Sequence, residues 1–286
     1  MKDRIEHLGS STIHHGRHNN RIFLLKLAVE ECPGIFSRLD DLADKKGYTK
    51  IIAKVPENMR HLFVAQGFHR EAYIPDFFNS RENDGQAVSF MGKYTDPARS
   101  REKDREAADM ILISAVKKQN QKKSPPLPPS FTCRPMEKKE RYQMAAVYSA
   151  VFQTYPFPIH DPDYIADTMD QGCLYGGIWH KQQLVSLACA DMDTTEKNAE
   201  MTDFATLPHY RGRRFAGILL GLLESAVGFK SIKTAYTIAR AGSSGINTTF
   251  SRAGYIYSGR LINNTNISGR IESMNTWYKP LPEDKT

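Results

Sequence analysis

Glu200-Met201-Thr202-Asp203-Phe204-Ala205-Thr206-Leu207-Pro208-His209-Tyr210-Arg211-Gly212-Arg213-Arg214-Phe215-Ala216-Gly217-Ile218-Leu219-Leu220-Gly221-Leu222-Leu223-Glu224-Ser225-Ala226 is the stretch whose reading decides the fold. Glu200 to Thr206 reads as a strand, and Pro208 ends it. Tyr210 to Gly217 is a turn of basic and small residues. Phe215, Ile218, Leu219, Leu222, Leu223 and Ala226 then recur at offsets of 0, 3, 4, 7, 8 and 11, which is a helical period. Gly228 stands where a left-handed cap is expected. A strand that enters a helix through a glycine-bearing turn makes an anion site. The first amides of the helix have no internal partner, and the helix dipole is positive there. Gly212 and Ala216 let phosphate oxygens approach the backbone, and Arg211, Arg213 and Arg214 add charge. The reading is a diphosphate cradle, and its plain alternative is a surface turn with three solvated arginines. The chain has no Gly-Lys-Ser/Thr, which excludes a nucleotide-hydrolase P-loop, and no G-x-G-x-x-G, so a dinucleotide fold is not indicated.

The 286 residues suffice for two ordinary domains, and 40% hydrophobic content supports sizeable cores. No run of about 18 apolar residues occurs, so no membrane span is expected. The first seven residues lack the apolar core of a signal peptide. Cys32, Cys133, Cys173 and Cys189 are scattered without a Cys-x-x-Cys pair, which argues against a zinc ribbon or a disulfide frame and for the reducing cytoplasm. The net charge of +7 suits nucleic acid or a polyphosphate cosubstrate. No basic stripe interleaved with aromatics favours nucleic acid.

Along the chain, residues 3–9 and 21–29 read as strands around a polar turn holding His14, His15 and His18. With no acid or thiolate close in sequence, those histidines read as solvated rather than as a metal cluster. A helix with Ile35, Leu39, Leu42 and Ala43 on one face stops at Gly47, and Lys50 to Val55 is a strand. A further helix spans 100–118. Pro125, Pro126, Pro128 and Pro129 cannot continue it, so 119–130 reads as an extended linker between residues 1–118 and 131–286. The second part has a helix with Met144, Val147, Tyr148, Val151 and Phe152, and then a proline-broken aromatic loop, Tyr155 to Tyr164. Strands Leu174 to Trp179 and Leu184 to Ala190 precede the central stretch. A strand from Ser231 to Tyr236 and a hairpin of Tyr257 to Ile262 with Met274 to Lys279 follow it. Helix–Gly47-Tyr48–strand–Phe63-x-x-x-Gly67-Phe68 mirrors helix–Gly228-Phe229–strand–Phe250-x-x-x-Gly254-Tyr255. This reads either as a degenerate internal repeat or as landmarks that any α/β layer shares.

Arg211-Gly212-Arg213-Arg214-Phe215-Ala216 resembles the acetyl-CoA loop of the GNAT acyltransferases, Arg/Gln-x-x-Gly-x-Gly/Ala. The ends match, while Arg214 stands at the usual glycine. The resemblance implies an α/β (α+β) fold with a mixed central sheet flanked by helices, and a first half that is a GNAT-like relic without its own turn. It implies acetyl-CoA as cosubstrate with no metal. Its diphosphate would lie on Arg211, Gly212, Arg213, Arg214, Phe215, Ala216 and Gly217, and its pantetheine along Phe204, Ala205 and Thr206, with Asn247 and Phe250 beside it. Glu200, eleven residues before Arg211, has a spacing that resembles that of the catalytic glutamate in histone-acetylating members and is the candidate base. Asp203, on the opposite face of a regular strand, is its rival or a substrate contact. The family often has a tyrosine acid where Phe250 stands, so Tyr255 or Tyr210 supplies that proton, or the thiolate leaves unassisted. Tyr155, Phe157, Asp161 and Asp163 form a candidate substrate wall, although Asp161-Pro162 also suits a helix start, and Asn263, Asn264 and Asn266 line the pocket or form a turn.

Over nearly its full length the chain resembles the β-lysine N-acetyltransferases. Ile13-His14-His15-Gly16, Thr154 to Ile159, Gly245-Ile246-Asn247 with Gly254-Tyr255, and Gly259 to Asn264 carry this likeness. It implies acetylation of the N6 amine of β-lysine, a compatible-solute product, and a homodimer as one use of the first half. The rivals are another amine acceptor (a polyamine or a protein lysine) and a non-catalytic CoA sensor.

Overall fold

The computed structural model describes residues 3–80, 84–121 and 125–282, so Lys122, Lys123 and Ser124 of the expected linker lie outside the described residues. β1 (Arg4–Leu8), β2 (Ser11–Gly16) and β3 (Arg21–Lys26) form a meander. α1 (Gly34–Lys46) crosses to β4 (Lys50–Pro56), and α2 (Arg60–Ala65) leads to the hairpin β5 (His69–Phe78) and β6 (Gln86–Tyr94). α3 (Arg105–Val116), β7 (Phe131–Pro135), α4 (Arg141–Val151) and α5 (Pro162–Asp170) follow. The first pattern then returns. β8 (Leu174–His180), β9 (Gln183–Asp193) and β10 (Asn198–Thr206) form a meander, α6 (Phe215–Gly228) crosses to β11 (Thr234–Arg240), and α7 (Ser244–Arg252) leads to the hairpin β12 (Ile256–Ile267) and β13 (Arg270–Pro280).

The thirteen strands form one sheet in the order β1-β2-β3-β4-β6-β5-β12-β13-β11-β10-β9-β8-β7. β3–β4 and β10–β11 run parallel, each pair joined by a crossing helix, and the remaining described pairs are antiparallel. This is the mixed, helix-flanked sheet expected from the sequence. The strand order reads as one six-strand pattern twice, meeting edge to edge at β5 and β12, with β7 added at the outer edge of the second.

The meeting is close. Gly259 of β12 lies opposite Ala72 with φ +148°. A Cβ at Gly259 would sit 2.1 Å from the Glu71 carbonyl oxygen. Beside it the buried Lys50 ammonium donates to Glu71 Oε2 at 2.8 Å and to the Ile262 carbonyl at 2.7 Å, and the Tyr94 hydroxyl also donates to Glu71. One ion pair therefore ties β4, β5, β6 and β12 together.

Alternation along each strand sorts the core. Ile22, Leu24, Ile51, Ala53 and Val55 pack with α1 and α2. Phe23 and Ile52, between them, join Val88 and Phe90 and meet Met144, Tyr148, Leu187 and Met274 of the second half. A single apolar trough, closed by α4 and α5, thus belongs to both halves. The other face of the second half buries Phe215, Leu219, Leu220, Leu223 and Val227 of α6, together with Ala115 of α3. α3 docks on α7, where Ser251 Oγ donates to the Ala115 carbonyl at 2.7 Å.

Three local expectations change. His14 and His15 are buried on β2 rather than solvated in a turn. His14 stacks on Phe157 with ring centroids 4.7 Å apart, and His15 bridges Glu6 and Tyr48. Gly228 is the last helical residue, and the left-handed turn falls at Ser231, φ +57°. The final hairpin runs on through Asn263, Asn264 and Asn266, which lie within β12.

Candidate active site

The strand–turn–helix leaves its donors open. Gly212 (φ +79°) and Arg214 (φ +61°) are both left-handed, and together they swing the chain into α6. No side chain caps α6. The Gly217 and Ile218 amides close on the Arg214 carbonyl, and the amides just before them have no carbonyl a turn earlier to reach. Residues Arg211 to Gly217 line one end of a cleft of about 1590 Å³.

β10 supplies the second feature. It pairs with β11 only through Asn198, Ala199 and Glu200, and beyond Glu200 the two parallel strands part. On its other side β10 bulges between Thr202 and Ala205, and Asp203 takes a left-handed φ of +57°. The parting leaves backbone groups of β10 facing the cleft, and the bulge re-aims a side chain. Asp203 consequently opens into the same cleft as Glu200, not onto the opposite face.

Around these acids the cleft is lined by apolar and aromatic side chains, among them Phe23, Leu25, Phe152 and Tyr164. Burial pushes the Glu200 carboxyl up to about 7, and Asp191 and Asp203 add to the rise while Lys54 and the Tyr236 hydroxyl oppose it. Burial likewise pushes Asp203 up to about 6, against hydrogen bonds from Tyr155 and Thr202. The Tyr155 hydroxyl donates to Asp203 Oδ1 at 2.5 Å, and Lys54 Nζ donates to Tyr236 Oη at 3.1 Å. Phe23, Leu25, Arg21 and Lys54 come from the first half and face this end of the cleft. No group of three or more His, Cys, Asp or Glu that could hold a metal occurs among the described residues. No helix among them is long and apolar enough to cross a membrane.

Residues 142–240, which contain the turn and the parted strands, match the acetyltransferase (GNAT) family. The whole chain is also 32% identical to the β-lysine N(6)-acetyltransferase of Methanococcus maripaludis, covering 97% of this chain and 98% of that one. The chain belongs to the β-lysine N-acetyltransferase family, within the GNAT superfamily. The β-lysine N(6)-acetyltransferase of Methanosarcina mazei is 32% identical over 86% of this chain and 97% of its own. The N-acetyltransferase YodP of Bacillus subtilis is 31% identical over 95% and 96%. The protein is accordingly an acetyl-CoA-dependent N-acetyltransferase.

Against this GNAT frame, the cleft gathers Glu200, Asp203, Phe204, Thr206, the Arg211–Gly217 turn, Tyr155 and Phe157. Ala205 is buried just beneath it, and its carbonyl accepts from Ser186 Oγ at 2.9 Å. Other expected site residues lie elsewhere. Asn247 is fully buried and does not face the cleft. Its Nδ2 donates to the Arg240 and Ser243 carbonyls and its Oδ1 accepts from Asn275 and Trp277, so it has nothing left for a ligand. Phe250 is wedged between Phe204 and Tyr255 in the core behind α6. Tyr255 is buried there too, its hydroxyl near Glu224, and it does not line the cleft. Asp161 caps α5 by accepting from the Asp163 amide at 3.0 Å, and Asp163 is exposed.

The sequence reading missed Lys54, Tyr236 and Arg21. Lys54 had a signal, because a lysine between Ala53 and Val55 interrupts an apolar strand. Arg21, the first residue of its strand, carried no such signal.

Proposed function

We propose that the protein transfers the acetyl group of acetyl-CoA to the N6 amine of β-lysine. The observation that carries this reading is the parting of β10 from β11 immediately beyond Glu200, at the mouth of the uncapped α6. Acetyl-CoA supplies an acyl group activated as a thioester. The Arg211–Gly217 turn grips its diphosphate with backbone amides and arginines. The freed edge of β10 around Phe204–Thr206 pairs with the pantetheine amides and directs a backbone donor toward the carbonyl that becomes negative.

Glu200 takes the proton. The acceptor amine is an ammonium with a pKa near ~10.4 and cannot attack until deprotonated. A carboxylate poised near neutrality suits that transfer. The new N–C bond forms as the C–S bond breaks. Phe250 can donate nothing, so the contribution of this chain rests on the base, the backbone donor and positioning. Asp203, held by Tyr155, and the aromatic wall of Tyr155, Phe157 and Phe23 guide the aliphatic chain. In this reading residues 1–118 are a GNAT-like half that retains the strand pattern but not the turn, 119–130 join it to residues 131–286, and acetylation leaves a product of zero net charge suited to a compatible solute in the cytoplasm.

The test is steady-state release of CoA thiol with β-lysine, lysine, spermidine and a lysine peptide as acceptors. β-Lysine is expected to give the highest kcat/KM. Equal rates across the panel would remove the substrate assignment, and no thiol with any amine would leave a CoA-binding protein without catalysis.

A further inference from the structure

The acceptor end of the cleft contains a buried cation with no direct ion-pair partner among the described residues. Arg21, 3% exposed, enters from β3 of the first half. Its Nη1 donates to the Asn264 carbonyl at 2.6 Å and to Thr265 Oγ1 at 3.1 Å. Its Nε is buried without an acceptor, and no carboxylate among the described residues lies within ion-pair distance of it. The nearest ring is Phe23, 5.1 Å from the guanidinium carbon. A buried guanidinium is retained when something pairs with it, and its open edge has the fork that fits a carboxylate. Beside it Asn264, 1% exposed and lining the same cleft, has a buried Oδ1 with no donor. The ligand that satisfies both brings a carboxylate and, close to it, an N–H donor. Asp3, Glu71 and Glu200 act on the charge of Arg21 from beyond ion-pair distance, against Arg99, and Arg21 and Glu200 line the same cleft. A clamp between the halves would explain Nη1 but leaves the free edge and the Asn264 oxygen without partners.

We propose that Arg21 and Asn264 form the head-group subsite for an amino-acid acceptor, with Arg21 binding its carboxylate and Asn264 Oδ1 its nearby ammonium, while the distal amine reaches Glu200. This deepens the β-lysine reading and rests on it. It assigns the first half a task in choosing the acceptor, and it disfavours polyamines, which have no carboxylate.

The test compares, on the full chain, kcat/KM for β-lysine, its carboxamide, and its decarboxylated counterpart 1,4-diaminopentane. Lysine and cadaverine form a second acid/decarboxylated pair. The wild type should prefer each acid by at least about 100-fold, because a site built to pair a polar group rejects ligands lacking it. In Arg21→Gln the acid-to-amide ratio should fall to about 1, mainly through KM, and Arg21→Lys should restore roughly 10-fold of it. Asn264→Ala should raise KM for β-lysine about 10-fold but not for 6-aminohexanoate, which has no ammonium at that end. A wild type that uses acid and amide alike overturns the proposal, whether or not Arg21→Gln folds. So does an Arg21→Gln variant that loses equally on acid and amide. Strong use of lysine with no use of β-lysine would retain the subsite and discard the substrate assignment.

Discussion

Glu200 and Asp203 are carboxyls that folding has half-buried in the cleft, and burial raises both above their ordinary range. For Glu200 the consequence for rate is direct. Activity should rise with pH as the base loses its proton, with an apparent pKa near 7, and Glu200→Gln should slow turnover by about 10²-fold or more and abolish that limb of the pH–rate profile. An unchanged rate would exclude Glu200 from the chemistry. The consequence for stability has the opposite sign to that of a salt-bridged acid. The folded-state pKa of Glu200 is raised, so folding is unpenalised below the ordinary carboxylate value and loses stability as pH climbs through about 7. Glu200→Gln should therefore be more stable than wild type at pH 8, by roughly 2–3 kcal/mol, and little different at pH 4. Thermal unfolding at the two pH values reads this out. At this scale the sequence was half legible. Glu200 could be counted back from the turn. The position of Asp203 could not, because a regular strand puts residues three apart on opposite faces and nothing in Thr202-Asp203-Phe204 announces a bulge. Asn247 and Tyr255 misled for a different reason: a polar residue next to a motif looks like a ligand contact until its partners prove to be internal.

At the scale of elements, the turn into α6 is the best-encoded part of the chain, since period and punctuation agree there. Arg214 is its exception. It adopts the left-handed conformation that a glycine holds without strain, which is why the familiar motif has glycine at this place. Arg214→Gly should raise stability by about 1 kcal/mol, a gain of roughly 2–4 °C for a chain of this size. It should also weaken CoA binding modestly, by the loss of one cation near the diphosphate. Calorimetry with CoA beside a melting curve separates the two effects, and a lowered melting temperature would show that the arginine side chain matters more to the fold than its backbone strain. The strand holding His14 and His15 was not legible. Consecutive histidines read as polar, whereas here one ring stacks on Phe157 and the other is hydrogen-bonded at both nitrogens.

At the scale of the whole molecule, the aromatic-glycine landmarks raised the question of a repeat, and a similar strand order recurs in the two halves, with β7 added to the second. What no local pattern could reveal is that the two copies join edge to edge and share one trough. The join depends on Gly259 and on the Lys50–Glu71 pair, residues distant in sequence whose meeting exists only in the folded chain. Gly259→Ala should cost at least about 2 kcal/mol, because its new methyl meets the Glu71 backbone and its φ is unfavourable for any side chain. Denaturant unfolding measures this, and a variant as stable as wild type would show that the seam adjusts freely.

That shared trough divides labour along the polypeptide. On the proposed reading the groups that grip the acyl donor are encoded after residue 198, whereas Arg21, Phe23 and Lys54, which line the other end of the cleft, are encoded before residue 60. Drift in the opening third of the gene would thus retune which amine is welcomed without disturbing the hold on the donor. On that reading the first half, which has no such turn of its own, serves as the adjustable jaw of the second.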